Sequence, residues 1–154
     1  MTAPVFVDTN VLVYREGGSE PDKQSRANDW IVHLVRRRAA RISFQVLQEL
    51  YATLTQKLMP AFEIGEARGI VRDLAVWHPA TIDLAILERA WQLQERHFLS
   101  WWDALIVAAA QSCECSALLT EDLQHGQVFG RVRVIDPFAS PERTPDEVLA
   151  MLAE

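Results

Sequence analysis

Short, largely apolar runs alternate with stretches of helical periodicity, and this alternation leaves the chain few architectures. Ala3–Val7, Arg41–Phe44, Ala117–Thr120 and Val132–Ile135 are the strand candidates. Runs this short and apolar suit strands buried on both faces. Between them, apolar residues recur three and four positions apart, the helical spacing. Ala27, Trp30, Ile31, Leu34 and Val35 mark a first helix after the Gly17–Pro21 loop. Val46, Leu47, Leu50, Tyr51, Leu54 and Leu58 mark a second, which Pro60 stops. A third is expected over Glu63–Val76. A fourth is expected over Asp83–Arg96, with Leu84, Leu87 and Trp91 inward. Ser100 starts a fifth, whose inner face is Trp102, Leu105, Ile106, Ala109 and Cys113. Thr144 caps a last helix over 144–153. Strands alternating with helices imply an α/β sandwich around a mainly parallel sheet.

The 154 residues suit one domain, 1–154, and no Pro/Gly/Ser-rich linker, repeat or low-complexity segment divides it. The formal net charge of −6 argues against a protein that holds nucleic acid by bulk charge alone. It leaves room for an enzyme that meets nucleic acid through a metal-filled acidic pocket. No apolar run approaches the roughly 20 residues of a membrane span. Residues 1–15 lack the basic start and cleavage site of a signal peptide. Cys113 and Cys115 are too close in sequence for a ready mutual disulfide, and no clustered His completes a zinc site. The expected location is the cytoplasm, with no membrane contact.

In an open parallel sheet, ligands bind beyond the carboxyl ends of the strands. Asp8 directly follows the first strand, and Asp122 lies two residues past Thr120. Topology alone therefore puts both on one rim. Glu49 sits on the first turns of the helix after Phe44, and Asp103 on the first turn of the helix from Ser100. Carboxylates meeting at one rim repel: two about 5 Å apart cost roughly 3 kcal/mol at an effective dielectric near 20. A hard divalent cation removes that cost, and Mg²⁺ prefers oxygen ligands shared with phosphate. Each acid also has a purely structural reading. Asp8 suits a helix cap, Glu49 a solvated helix position, Asp103 a capping box with Ser100, and Asp122 a turn.

The motifs themselves resemble a known family. Val7-Asp8-Thr9-Asn10-Val11-Leu12-Val13-Tyr14 resembles the opening of PIN domains, and Ser43–Leu50 their second acidic motif. Leu99–Ala110 resembles the third, and Leu118-Leu119-Thr120-Glu121-Asp122 the fourth. The likeness covers residues 5 to about 138, in order. It implies a three-layer α/β/α sandwich and an Mg²⁺- or Mn²⁺-dependent nuclease. Asp8, Glu49, Asp103 and Asp122 would be its acidic site, and Asp8 and Asp103 the firmest ligands. Thr9 and Asn10 would support Asp8, and Thr120 would orient water or Asp122. Stand-alone PIN domains of this size are mostly VapC-type toxins, which implies an RNA substrate, a small cognate antitoxin and a homodimer.

Other features fit more than one role. Arg36–Arg38 with Arg41 suit a solvated helix end or an RNA phosphate contact. Trp102 is expected in the core, and Trp101 is the better candidate for base stacking. His125 is close enough in sequence to Asp122 to matter. The helices over 46–58 and 63–76 are expected to pair, and a groove beside them suits an amphipathic partner helix. Two other functions compete. A phosphohydrolase on a similar sheet needs a late lysine, but the only lysines are Lys23 and Lys57. A non-catalytic PIN-fold binding module has no need of all four acids.

Overall fold

A computed structural model describes residues 3–153. Its central strand is β1, Val5–Val7, with all three residues buried. Layers cover both sides of this strand, and each large apolar side chain so buried contributes about 1.5–3 kcal/mol. β2 (Ala40–Arg41) and β3 (Ala117–Leu119) flank β1, both parallel to it. β5 (Val132–Ile135) runs parallel beside β3, and β4 (Val128–Phe129) closes the edge antiparallel to β5. The strand order is β2-β1-β3-β5-β4.

The chain leaves β1 toward β2 on one side and later crosses to β3 on the other. Right-handed connections then place the helices of the two crossings on opposite faces of the sheet. The first crossing carries α1 (Thr9–Glu16) and α2 (Pro21–Arg36). The second carries α3 (Phe44–Ala52), α4 (Ile64–Leu74), α5 (Leu84–Arg96) and α6 (Trp101–Ser112). α7 (Pro145–Leu152) follows β5 and packs on α2, with Thr144 as its cap. This is the expected α/β sandwich. α6 is buried from Ala104 to Ala110, and its alanines let it lie close between the sheet and α5. Between β1 and β3 the connections reverse direction, which leaves a crevice beyond the carboxyl ends of those strands.

Several expectations shift. Residues 9–16, unassigned from sequence, form α1, because Asp8 caps a helix directly after β1. The second strand is Ala40–Arg41 rather than Arg41–Phe44. Phe44 opens α3 instead, and its N–H donates to the Ala80 carbonyl at 2.9 Å. The helix expected through Leu58 becomes a π-helical turn at Thr53–Lys57, where Thr55 Oγ1 donates back to the Tyr51 carbonyl at 2.8 Å. The next ends at Leu74 and tightens into a 3₁₀ turn over Ala75–Trp77. The β4–β5 hairpin turns at Gly130, which takes a left-handed φ of 62°.

Two helical faces are also rotated. Ile86, Ala90 and Leu93 form the buried face of α5, whereas Leu84 and Trp91 are exposed. Trp102 is 62% exposed, while the half-buried Trp101 stacks on Trp91 with ring centroids 6.3 Å apart. Val35 is likewise exposed. α3 and α4 do pack together. Cys113 and Cys115 are free thiols. Among the described residues no helix is long and apolar enough to cross a membrane.

Candidate functional site

Asp8 is held at the crevice by backbone and side chain together. Its N–H donates to the Leu119 carbonyl at 3.0 Å, which continues the β1–β3 ladder by one residue. Its Oδ1 accepts from the Thr9 N–H at 2.7 Å and so caps α1. Oδ2 accepts from the Thr120 hydroxyl at 2.8 Å and from Asn10 Nδ2 at 3.4 Å. Capping therefore uses one oxygen and leaves Asp8 in the crevice, so its two readings are compatible. The Asn10 amide also reaches Thr120 Oγ1 at 3.0 Å and Asp122 Oδ2 at 3.1 Å. Thr120 Oγ1 accepts from the Asp122 N–H at 3.1 Å. Thr120, buried at the end of β3, thus fixes both acids, and Asn10 ties α1 to the loop that carries Asp122.

Glu49 arrives from α3. Gln45, one turn earlier and buried, donates Nε2 to Glu49 Oε1 at 2.6 Å and to the Trp102 carbonyl at 3.2 Å. That amide joins the first turns of α3 and α6. Asp103 follows Trp102, and its backbone N–H donates to Ser100 Oγ at 3.1 Å. The cap of α6 therefore uses the Asp103 backbone and not its carboxylate. Asp8, Glu49 and Asp122 line one cavity of about 340 Å³, with Thr9, Asn10, Tyr14 and Glu121. Asp103 does not line that cavity, but its charge is felt by Glu49 and it feels that of Asp122. A larger cleft beside β2, about 490 Å³, has no carboxylate in its walls.

The electrostatics follow from burial and proximity. Burial pushes the Asp8 carboxyl up to about 7, against the hydrogen bonds from Thr120 and Thr9, and the charges of Glu49 and Asp122 add to the rise. Glu49 is raised by burial and by Asp103 and Asp122, against Gln45 and the nearby Lys57. Asp103 is raised by burial and by Asp122, against Ser100. Glu49 and Asp122 thus link Asp8 electrostatically to Asp103. Each raised pKa marks a place where a proton or another cation is favoured. Among the described residues no three His, Cys, Asp or Glu side chains are gathered tightly enough to cage an ion. Open, all-oxygen sites of this kind suit Mg²⁺, which takes one or two carboxylates and keeps several waters. Thr9 also lines the cavity, and its buried hydroxyl has no hydrogen-bond partner.

Four residues at the site escaped the sequence reading. Gln45 positions Glu49, and neither its type nor its spacing signals that role. Glu121 is a fifth acid in the cavity wall, legible only as the neighbour of Asp122. It has its own cation, Lys23, at 3.0 Å, and it accepts from the Tyr14 hydroxyl at 2.7 Å. Lys23 also stands over the rings of Tyr14 and Phe138. Other candidates are engaged elsewhere. His125 Nδ1 accepts from the Asp136 N–H at 3.0 Å. Arg37 pairs with Asp146 at 3.1 Å, and Arg41 donates to the carbonyls of Arg38 and Ala40.

A family model of the PIN domain matches residues 5–130, a span that includes all four acids. The chain belongs to the PIN domain family. A chain of a toxin–antitoxin complex from Klebsiella pneumoniae shares the PIN fold seen here, with a TM-score of 0.59 and 19% identity. The match covers 87% of this chain and 98% of that one. No curated protein matches by sequence.

Within this PIN domain Asn10 is the connecting residue, and its removal is a direct test of the geometry. Asn10→Ala frees Asp122 from α1 while leaving every carboxylate in place. Partners that orient ligands typically matter about 10–100-fold for metal affinity. The expected result is a loss of Mg²⁺ affinity in that range, measured by Mg²⁺-dependent thermal shift. Unchanged affinity would make Asn10 a tie between two elements and nothing more.

Proposed function

We propose that this PIN domain is a magnesium-dependent endoribonuclease that hydrolyses RNA phosphodiester bonds, and the toxin of a toxin–antitoxin pair. The gathering of Asp8, Glu49, Asp103 and Asp122 at one crevice carries the reading. Asp8 and Asp103 would be the firmest ligands, with Glu49 and Asp122 completing the site and Mn²⁺ as an alternative ion. A metal bound there supplies a Lewis acid for the phosphodiester and acidifies water. Thr9, Asn10 and Thr120 hold Asp8 and Asp122 in place through the hydrogen bonds described above. Gln45 holds Glu49. Lys23 neutralises Glu121, so that acid adds little to the repulsion.

The toxin reading draws on the family and on the fold it shares with a member of a toxin–antitoxin complex. It brings with it a single domain working in the cytoplasm, a small cognate antitoxin as partner and a homodimer as the working form. Purified protein is expected to cut RNA from its host in Mg²⁺ or Mn²⁺ and to stop in EDTA. Expression of the chain alone is expected to slow growth, and co-expression of a small protein from the adjacent reading frame to restore it. Protein that binds Mg²⁺ yet cuts no RNA would leave a non-catalytic binding module. Normal growth alongside active protein would leave a housekeeping nuclease.

A further inference from the structure

The cleft of about 490 Å³ beside β2 shares no residue with the acidic cavity. It is formed where the end of α2 and the 3₁₀ turn over Ala75–Trp77 meet β2. Val35, Val76 and the half-buried Trp77 supply apolar walls. Val35 is 45% exposed and Val76 72%, so this apolar surface meets water. Arg38, Arg41 and His78 also line the cleft, and no carboxylate does. On a chain with a net charge of −6, that is a local reversal of sign. A volume of this size lies in the range of small-molecule sites, which pair apolar walls with a few polar groups.

The basic cluster of Arg36–Arg38 with Arg41 divides at this point. Arg37 turns away to Asp146 on α7. Among the described residues neither Arg38 nor Arg41 pairs with a carboxylate. Arg41 Nη1 donates to the Arg38 and Ala40 carbonyls, each at 3.0 Å, which fixes the guanidinium at the cleft. The same contacts blunt the outer edge of β2. Just beyond it, the Ala80 N–H donates to the Ile42 carbonyl and the Phe44 N–H to the Ala80 carbonyl, each at 2.9 Å. A peptide strand therefore finds little free backbone on which to extend the sheet. A nucleic-acid backbone calls for a row of cations, whereas two guanidinium groups against apolar walls match one anionic group on an apolar body. Arg38 and His78 also hold left-handed φ angles of 54° and 52°. Residues strained in this way cluster at ligand sites.

We propose that this cleft binds a small apolar monoanion, with its apolar body against Val35, Val76 and Trp77 and its charge on Arg38 and Arg41. The site goes beyond the nuclease reading and does not depend on it. The test uses the whole protein in EDTA with 1-naphthylacetate, its neutral amide 1-naphthylacetamide, and acetate. Calorimetry gives the affinities, and backbone amide NMR shifts locate the binding. Val76→Asp places a negative charge at an exposed position of the wall. Arg38→Asn removes a guanidinium and keeps a residue that tolerates the left-handed backbone. Thermal melts check that both variants fold, and Val76→Asp decides alone if Arg38→Asn does not.

Naphthylacetate is expected to bind wild type and to shift the amides of Ala40, Trp77 and His78. The neutral amide and acetate should each bind about tenfold or more weakly, because one lacks the charge and the other the apolar body. Each variant is expected to weaken naphthylacetate by about 10- to 100-fold. No binding by wild type, equal binding of the neutral amide, shifts confined to other surfaces, or unchanged affinity in the variants overturns the proposal. Displacement of naphthylacetate by a short RNA also overturns it and makes the cleft a nucleic-acid contact. So does a halved molecular mass for Val76→Asp in solution, which makes the cleft an interface between copies of the chain.

Discussion

Replacing Asp8 with Asn is expected to lower RNA cleavage by about 100-fold or more, while making the metal-free protein more stable at neutral pH. On the proposed nuclease reading, the first effect is the loss of a metal ligand, which would contribute several kcal/mol to transition-state stabilisation. The second follows from burial. The folded chain holds the Asp8 proton until about pH 7, whereas an unfolded aspartate releases it near 3.8. Between those values the folded state binds more protons than the unfolded state, so stability falls as pH rises. Asn at position 8 stays neutral and escapes that loss. In EDTA, the stability advantage of Asp8→Asn should grow from pH 4 to pH 7 by about 4 kcal/mol and level off above. Mg²⁺ should reverse the trend for wild type alone, because a cation favours the ionised carboxylate. Urea melts across pH, with EDTA and with Mg²⁺, measure this. A pH-independent difference would mean that Asp8 ionises in the fold as freely as in water.

Asp103→Asn separates a cap from a ligand. The Ser100 cap uses the backbone N–H of Asp103, which the substitution retains. Metal-free stability should therefore hold or rise slightly, since Asp103 raises Glu49 and repels it. Ser100→Ala, the control, removes the cap itself and should cost about 1 kcal/mol. As a ligand, Asp103 matters only when metal is present. Asp103→Asn should shrink the stabilisation from Mg²⁺, which for wild type is about 2.7 kcal/mol at 100 times the dissociation constant. Cleavage should fall by about 100-fold or more. Thermal melts and one cleavage assay on the three proteins decide it. A destabilised Asp103→Asn with near-normal cleavage would withdraw Asp103 and leave three acids for the chemistry.

The acids were legible because two of them sit at strand ends. A residue that ends a parallel strand has its rim assigned by topology, so Asp8 and Asp122 could be paired across more than a hundred residues. Glu49 and Asp103 were legible through helix starts, a weaker guide, since a helix can begin at any height above the sheet. Asp103 duly falls outside the lining of the cavity. Lys23 and Glu121 escaped notice because an ion pair between α2 and the loop after β3 leaves no periodic trace in either segment. Gln45 escaped because an amide four residues before Glu49 reads as an ordinary helix position.

The phases of the helices mark the remaining division. Spacing marked α5 and α6 as helices, but it turned the wrong one of two adjacent tryptophans inward. Trp101 packs on Trp91 and Trp102 faces water because α5 and the sheet both press on α6, leaving its first turn a single open side. From sequence alone came the alternation of strands and helices, the parallel sheet and the rim on which Asp8 and Asp122 meet, since strand direction and connection length determine all three. Tertiary packing alone decided the Asn10 and Gln45 ties, the neutralisation of Glu121 and the exposure of Trp102. Those depend on distances of a few ångströms between segments far apart in the chain.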